Sequence, residues 1–139
     1  MATTKNVHEE YINAILARDW EKVKGLLHSD YTYMAGDGQV MPGAEAALAV
    51  AQTMTKAFPD LAVVIKSVFT AGDTAIAEMV ATGTHKDDLM GVAATGKQAS
   101  FPVCLVLELR DGKIYREREY YDSMVIFAQL GVVTPPGQE

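Results

Sequence analysis

The chain has 139 residues, enough for one domain with a real core, and its 49% hydrophobic and 22% charged residues suit a globular protein that folds without metal or disulfide. Its net charge of −6, spread along the chain, disfavours nucleic acid and anionic membranes and leaves a small, largely apolar molecule as the partner to expect. The single cysteine, Cys104, allows no intrachain disulfide; no apolar run nears a membrane span, and Met1 to Lys5 lack a signal-peptide core, so a cytoplasmic protein is expected.

Val7, Tyr11, Ile12, Ile15 and Leu16 recur at helical spacing and predict an amphipathic helix over 5–18. Asp19 is placed to cap a shorter helix that turns Trp20, Val23, Leu26 and Leu27 inward. Tyr31-Thr32-Tyr33 reads as a short strand, and Gly36-Asp37-Gly38 as a turn or loop. The alanine-rich run from Gly43 to Phe58 predicts a third helix, ended by Pro59-Asp60. Four strands follow, at 61–70, 74–85, 99–109 and 113–121. Ala71-Gly72-Asp73 and Arg110-Asp111-Gly112 are hairpin turns, and 86–98 is a looser link. Asp122 suits an N-cap for a last helix over 123–130 closed by Gly131, leaving a tail over 132–139. Helices followed by a meander make a single α+β domain over 1–131, with helices covering one face of a curved, mostly antiparallel sheet.

Several chemistries are excluded. His8, His28 and His85 lack metal-ligand spacing, one cysteine builds no zinc site, and there is no nucleophile elbow, phosphate loop or dinucleotide fingerprint. No metal or cofactor is expected. General acid–base chemistry and plain binding remain.

The strand at 99–109 has an apolar face of Phe101, Val103, Leu105, Leu107 and Leu109. Which face of the next strand lies beside it depends on the turn. A two-residue Asp111-Gly112 turn pairs Arg110 with Lys113 and sends Arg116 and Arg118 to the covered side. A three-residue turn pairs Leu109 with Lys113, sets Leu105 against Glu117, Val103 against Glu119 and Phe101 against Tyr121, and brings two carboxylates among apolar residues. Burial and mutual repulsion then raise at least one of their pKa values, as an acid or base near neutral pH needs.

The segments Phe58-Pro59-Asp60-Leu61, Gly83-Thr84-His85, Met90-Gly91, Thr95-Gly96-Lys97, Asp111-Gly112-Lys113-Ile114, Tyr121-Asp122 and Gln129-Leu130-Gly131 occur in an order that resembles the SnoaL-like polyketide cyclases of the nuclear transport factor 2-like superfamily. Residues 11–30 look similar to the ketosteroid-isomerase branch, and the ending to limonene-epoxide-hydrolase-like proteins. The resemblance implies a cone-shaped barrel around an apolar pocket, often a homodimer, acting without a cofactor. It places the family's catalytic acid on Glu119, a water-orienting tyrosine on Tyr33, the isomerase tyrosine on Tyr11 and the Gly-Thr-His histidine on His85. It also implies departures: the isomerase base falls on Ala35, its oxyanion acid on Leu105, and the hydrolase Arg and Asp on Met79 and Ala81.

The candidate catalytic residues are therefore Glu119, Tyr33 and His85, and the candidate substrate-binding residues are Tyr11, Met79, Phe101, Val103, Leu105, Glu117 and Tyr121. Each has a plainer reading: Glu117 as a surface charge, His85 as a structural hydrogen-bonding group at a strand end, Tyr11 and Tyr33 as core aromatics, Asp122 as a cap alone. Val106, Cys104 and Tyr120 on the opposite face suit a homodimer contact. The expected activity is cofactor-independent acid–base catalysis, cyclase- or isomerase-like, on a small hydrophobic carbonyl compound. The alternatives are a non-catalytic binding or dimerisation module and a hydrolase that uses a Glu119-activated water.

Overall fold

The structure is a computed structural model and describes residues 2–138. Helix α1 (Val7–Leu16) buries Val7, His8, Tyr11 and Ala14, a stripe at helical spacing. Arg18, at φ 54°, reverses the chain, and Asp19 caps α2 (Trp20–Leu26) by accepting from the Lys22 N–H at 3.2 Å. Strand β1 (Leu27–Met34) starts directly where α2 stops, four residues before the predicted strand. Gly36-Asp37-Gly38 is the expected turn, and it closes a hairpin whose second strand, β2 (Val40–Pro42), was not expected; Tyr33 pairs with Met41. Helix α3 (Ala44–Ala57) matches the alanine-rich run. After it come β3 (Ala62–Ala71), β4 (Thr74–Thr84), β5 (Gln98–Arg110), β6 (Lys113–Tyr120) and α4 (Ser123–Gln129). The tail carries no helix or strand from Val132 to Gln138, and its last residue, Glu139, lies outside the described residues. No helix among the described residues is long and apolar enough to cross a membrane.

The strands form one curved sheet in the order β2-β1-β6-β5-β4-β3, antiparallel except for β1 beside β6. The edge strands β2 and β3 do not pair with each other, so the expected cone is formed by an open, curved sheet. Its concave face carries Ala75, Ala77, Met79 and Ala81 of β4, paired with Leu107, Leu105, Val103 and Phe101 of β5; all eight are buried. Short alanines beside long side chains leave room under the helices. At the end of β4 the fold tightens. A Cβ on Gly83 would lie 2.8 Å from Phe58 Cβ, so only glycine lets the end of α3 settle onto the strand.

The β5–β6 hairpin combines parts of both expected turns. Asp111 (φ 54°) and Gly112 (φ 73°) make a two-residue turn, with Arg110 opposite Lys113. The pairing then skips a residue: Leu109 faces Ile114 but Glu108 faces Arg116, leaving Tyr115 as a β-bulge. One extra residue reverses the facing of everything after it. Glu117 and Glu119 therefore turn inward, opposite Leu107 and Leu105, while Arg116 and Arg118 turn outward. The expected partners of the two carboxylates, Leu105 for Glu117 and Val103 for Glu119, are each corrected by two residues along β5, to Leu107 and Leu105. Phe101 and Tyr121 are not a paired rung, although their ring centroids lie 6.0 Å apart.

A candidate active site between helix 1, helix 3 and the sheet

Beneath α1 and α3 the concave face encloses a cavity of about 100 Å³. Ile12, Ile15 and Leu16 of α1 and Val50 and Met54 of α3, all partly exposed, form its outer side. Met79, Ala81, Phe101, Val103 and Leu105 form its floor. Tyr11, Tyr33, Glu117 and Glu119 bring polar atoms to it.

Those polar atoms fall into two clusters. Glu117, only 6% exposed, accepts hydrogen bonds at one carboxyl oxygen, Oε1, from the Tyr11 hydroxyl at 2.7 Å and the Tyr31 hydroxyl at 2.5 Å. Glu119 accepts at Oε2 from the Tyr33 hydroxyl at 2.8 Å. The strand period places all four strand residues on one face: Tyr31 and Tyr33 two apart on β1, Glu117 and Glu119 two apart on β6. The parallel pairing of Tyr33 with Glu117 brings the two strands side by side. Helix α1 delivers Tyr11 from above. His8, one turn earlier, holds this helix in place: its Nε2–H donates to the Leu105 carbonyl at 2.8 Å, and burial keeps the ring below its ordinary pKa, hence neutral.

Burial sets the charge state of the site. It pushes the Glu117 carboxyl up to about 7; the nearby Glu119 charge adds to the rise, and the Tyr31 and Tyr11 hydrogen bonds oppose it. Glu119 is also raised by burial, against its bond from Tyr33. Desolvation, then the carboxylate charges, push the Tyr11, Tyr31 and Tyr33 hydroxyls above their ordinary range, so they remain proton donors. Near neutral pH Glu117 is therefore close to its midpoint, as a group that gives or takes a proton must be, and burial moves Glu119 in the same direction.

Of the residues singled out in the sequence, Glu119, Tyr33, Tyr11, Met79, Phe101, Val103, Leu105 and Glu117 all line the cavity. Tyr121 borders it through the Phe101 ring without lining it; burial first, then the Glu119 and Asp37 charges, raise its hydroxyl. His85 is not brought to the site. It is fully buried at the end of β4, where Nδ1 accepts from the Thr95 N–H at 3.2 Å with the Thr95 hydroxyl 3.0 Å away, beside the Phe58 ring. The hairpin-like bonds between His85 and Lys97 and between Gly96 and His85 fix it as the anchor of the 86–97 link. Tyr31 was missed, although its spacing from Tyr33 already assigns both hydroxyls to one face. Asp122 caps α4, accepting from the Met124 N–H at 2.9 Å, in line with its plainer reading. No group of residues fit to hold a metal occurs among the described residues.

A curved sheet roofed by N-terminal helices over an apolar cavity defines a class of small α+β pocket proteins. Within it, the chain belongs to the SnoaL-like polyketide cyclase family, whose description matches residues 5–130. IdmH of Streptomyces antibioticus, provisionally described as a polyketide cyclase, is similar in structure at a TM-score of 0.81 and 26% identity, over 93% of this chain and 99% of its own. AclR of Streptomyces galilaeus, provisionally described as a hydroxylase, superposes with a TM-score of 0.84 at 22% identity, over 95% and 87% of the two chains. An epoxide hydrolase of M. tuberculosis, of the LEH-like type, gives 0.71 at 21% identity, over 91% and 88%. Comparison with curated protein sequences gives no match.

Proposed function

We propose that the protein is a cofactor-independent acid–base enzyme, cyclase- or isomerase-like, acting on a small hydrophobic carbonyl compound. The supporting observation is the pair of buried carboxyls, each set by tyrosine hydroxyls, against an otherwise apolar cavity. Glu119, with a single hydrogen bond, serves as the base that takes a proton from the carbon beside the carbonyl. Glu117, held through Oε1 by two tyrosines, carries the proton that its other oxygen, Oε2, presents to the developing oxyanion. The enol so formed is then reprotonated on carbon, as in an isomerisation, or attacks a second carbonyl, as in a ring closure. In both cases Glu119 returns its proton and Glu117 regains one. Donors of this kind act most strongly where water is excluded.

Met79 and Ala81, where the resemblance implies an Arg and an Asp in epoxide hydrolases, are apolar wall, which favours proton transfer at carbon over epoxide opening. The cavity has room for about three water-sized groups, at roughly 30 Å³ each. A larger substrate places its reactive end inside and its remainder between α1 and α3.

The test is exchange of carbon-bound protons of small ketones and 1,3-dicarbonyls with deuterated water, followed by NMR. Glu119→Gln is expected to slow it by about 100-fold or more. Equal rates in variant and wild type would remove the mechanism, and a tightly bound ligand without exchange would favour a binding module. The same reading includes a homodimer through the outer sheet face, where Val64 and Tyr120 are exposed; sedimentation as a single 15.0 kDa species would exclude it.

A further inference from the structure

Among the described residues the carboxyl pair has no counter-cation. No lysine, arginine or histidine lines the cavity. Arg118, between the two glutamates on β6, faces away and pairs with Glu108; Arg116 also faces away, its guanidinium 5.0 Å from the Tyr115 ring centre. No ion pair of the described residues involves Glu117 or Glu119. Among those residues, Glu117 Oε2 and Glu119 Oε1 accept no hydrogen bond, although Glu117 is more than nine-tenths buried and faces the cavity.

Two carboxylates in an apolar space are costly unless something neutralises them. A proton neutralises one. A cation that enters the cavity offsets both charges, and the rest of the lining defines its form. Two free oxygens and the Tyr11 and Tyr33 hydroxyls, each already donating to a carboxyl, leave few acceptors. An ammonium or guanidinium with many N–H groups would be left with most of them unpaired. Alkyl groups in place of those hydrogens meet the aliphatic floor, and Tyr11, Tyr33 and Phe101 add aromatic rings, the kind of group that attracts a cation, to the lining. The volume of about 100 Å³ limits the guest to a small ion with short alkyl groups. Anionic ligands are repelled.

We propose that this cavity is a binding site for a small tertiary or quaternary alkylammonium ion, with Glu117 and Glu119 as its counter-charges and the rings of Tyr33 and Phe101 against its alkyl groups. The inference goes beyond the proton-transfer reading and does not depend on it; a cation seated there would occupy the space in front of Glu119 and block its access to a carbon acid. Binding favours the doubly ionised pair. It therefore releases the proton that a neutral carboxyl of the pair holds and strengthens as pH rises through the range in which the pair titrates. The other titratable groups around the pair are Tyr11 from α1, Tyr31 and Tyr33 from β1, Tyr121 after β6, and Asp37 in the β1–β2 turn.

Calorimetric titration of the intact protein with tetramethylammonium chloride tests this, against sodium chloride at equal ionic strength and against tert-butanol, a neutral molecule of similar shape. At pH 8 tetramethylammonium is expected to bind about tenfold or more tighter than tert-butanol and to lose about tenfold by pH 5. The Glu117→Gln/Glu119→Gln double variant, its fold checked by circular dichroism, should lose the preference for the cation. Equal binding of tert-butanol by the wild type, no heat from tetramethylammonium beyond the salt control, or an unchanged cation preference in the double variant would each overturn the proposal. None of these readouts uses turnover, so loss of the carbonyl chemistry and loss of the cation site are seen separately.

Discussion

Glu117 is held in the fold at a cost, and replacing it should make the protein more stable in a defined pH range. Its carboxyl titrates at about 7 in the folded protein against an ordinary 4.5. A raised carboxyl binds its proton more tightly folded than unfolded. Below about pH 4.5 both states are protonated and the group carries no penalty; as pH rises toward 7 the unfolded chain loses the proton while the folded one keeps it, and folding weakens. At about 1.4 kcal/mol per pH unit the penalty reaches about 3 kcal/mol above pH 7. The side-chain amide introduced by Glu117→Gln does not titrate, yet its oxygen can still accept from Tyr11 and Tyr31. Urea unfolding of wild type and Glu117→Gln from pH 4.5 to 8.5 should therefore give curves that diverge with pH. The variant should gain up to about 3 kcal/mol relative to wild type and level off above about pH 7.5. A constant offset from loss of the acid group leaves this slope untouched, and His8 and most of the Glu119 effect cancel in the difference. Parallel curves over the whole range would show that Glu117 is not desolvated as its burial implies.

Tyr33→Phe removes the one hydrogen bond that favours ionised Glu119. Carboxyl-carbon NMR should show Glu119 titrating higher by roughly one to two pH units, the worth of a hydrogen bond to a charged group; an unchanged or lower midpoint would contradict the geometry. Asp122→Ala removes only the cap of α4, so it should cost about 1 kcal/mol, a fall of about 4 °C in Tm, while leaving the Glu119 titration where it was. A moved Glu119 midpoint would give Asp122 a part in the site.

The elements were legible because each rests on local rules. Helical spacing in α1, the alanine run in α3, the caps at Asp19 and Asp122 and the alternation in β5 act within a few residues, and the structure follows them closely. The open alternatives of the β5–β6 turn show where local rules end. Asp111-Gly112 chose the two-residue turn, but the bulge at Tyr115, whose ring packs under Arg110 and against His28, reversed its consequence for Glu117 and Glu119. A bulge depends on what packs against both sides of a strand, and no short stretch of sequence records that. His85 illustrates the same limit: its motif is recognisable, but the contacts that turn its ring toward Thr95 and Phe58 come from the far end of the 86–97 link and from α3.

By itself, then, the sequence determined the α+β order, the apolar face of β5 and the family. Tertiary structure alone decided that Glu117 joins Glu119 inside, that Tyr11 and Tyr31 from a helix and a parallel strand converge on one of its oxygens, and that Arg116 and Arg118 face away from the pair. Periodicity fixes which residues share a face; only the pairing of distant strands, and the helices laid over them, fix which face is dry.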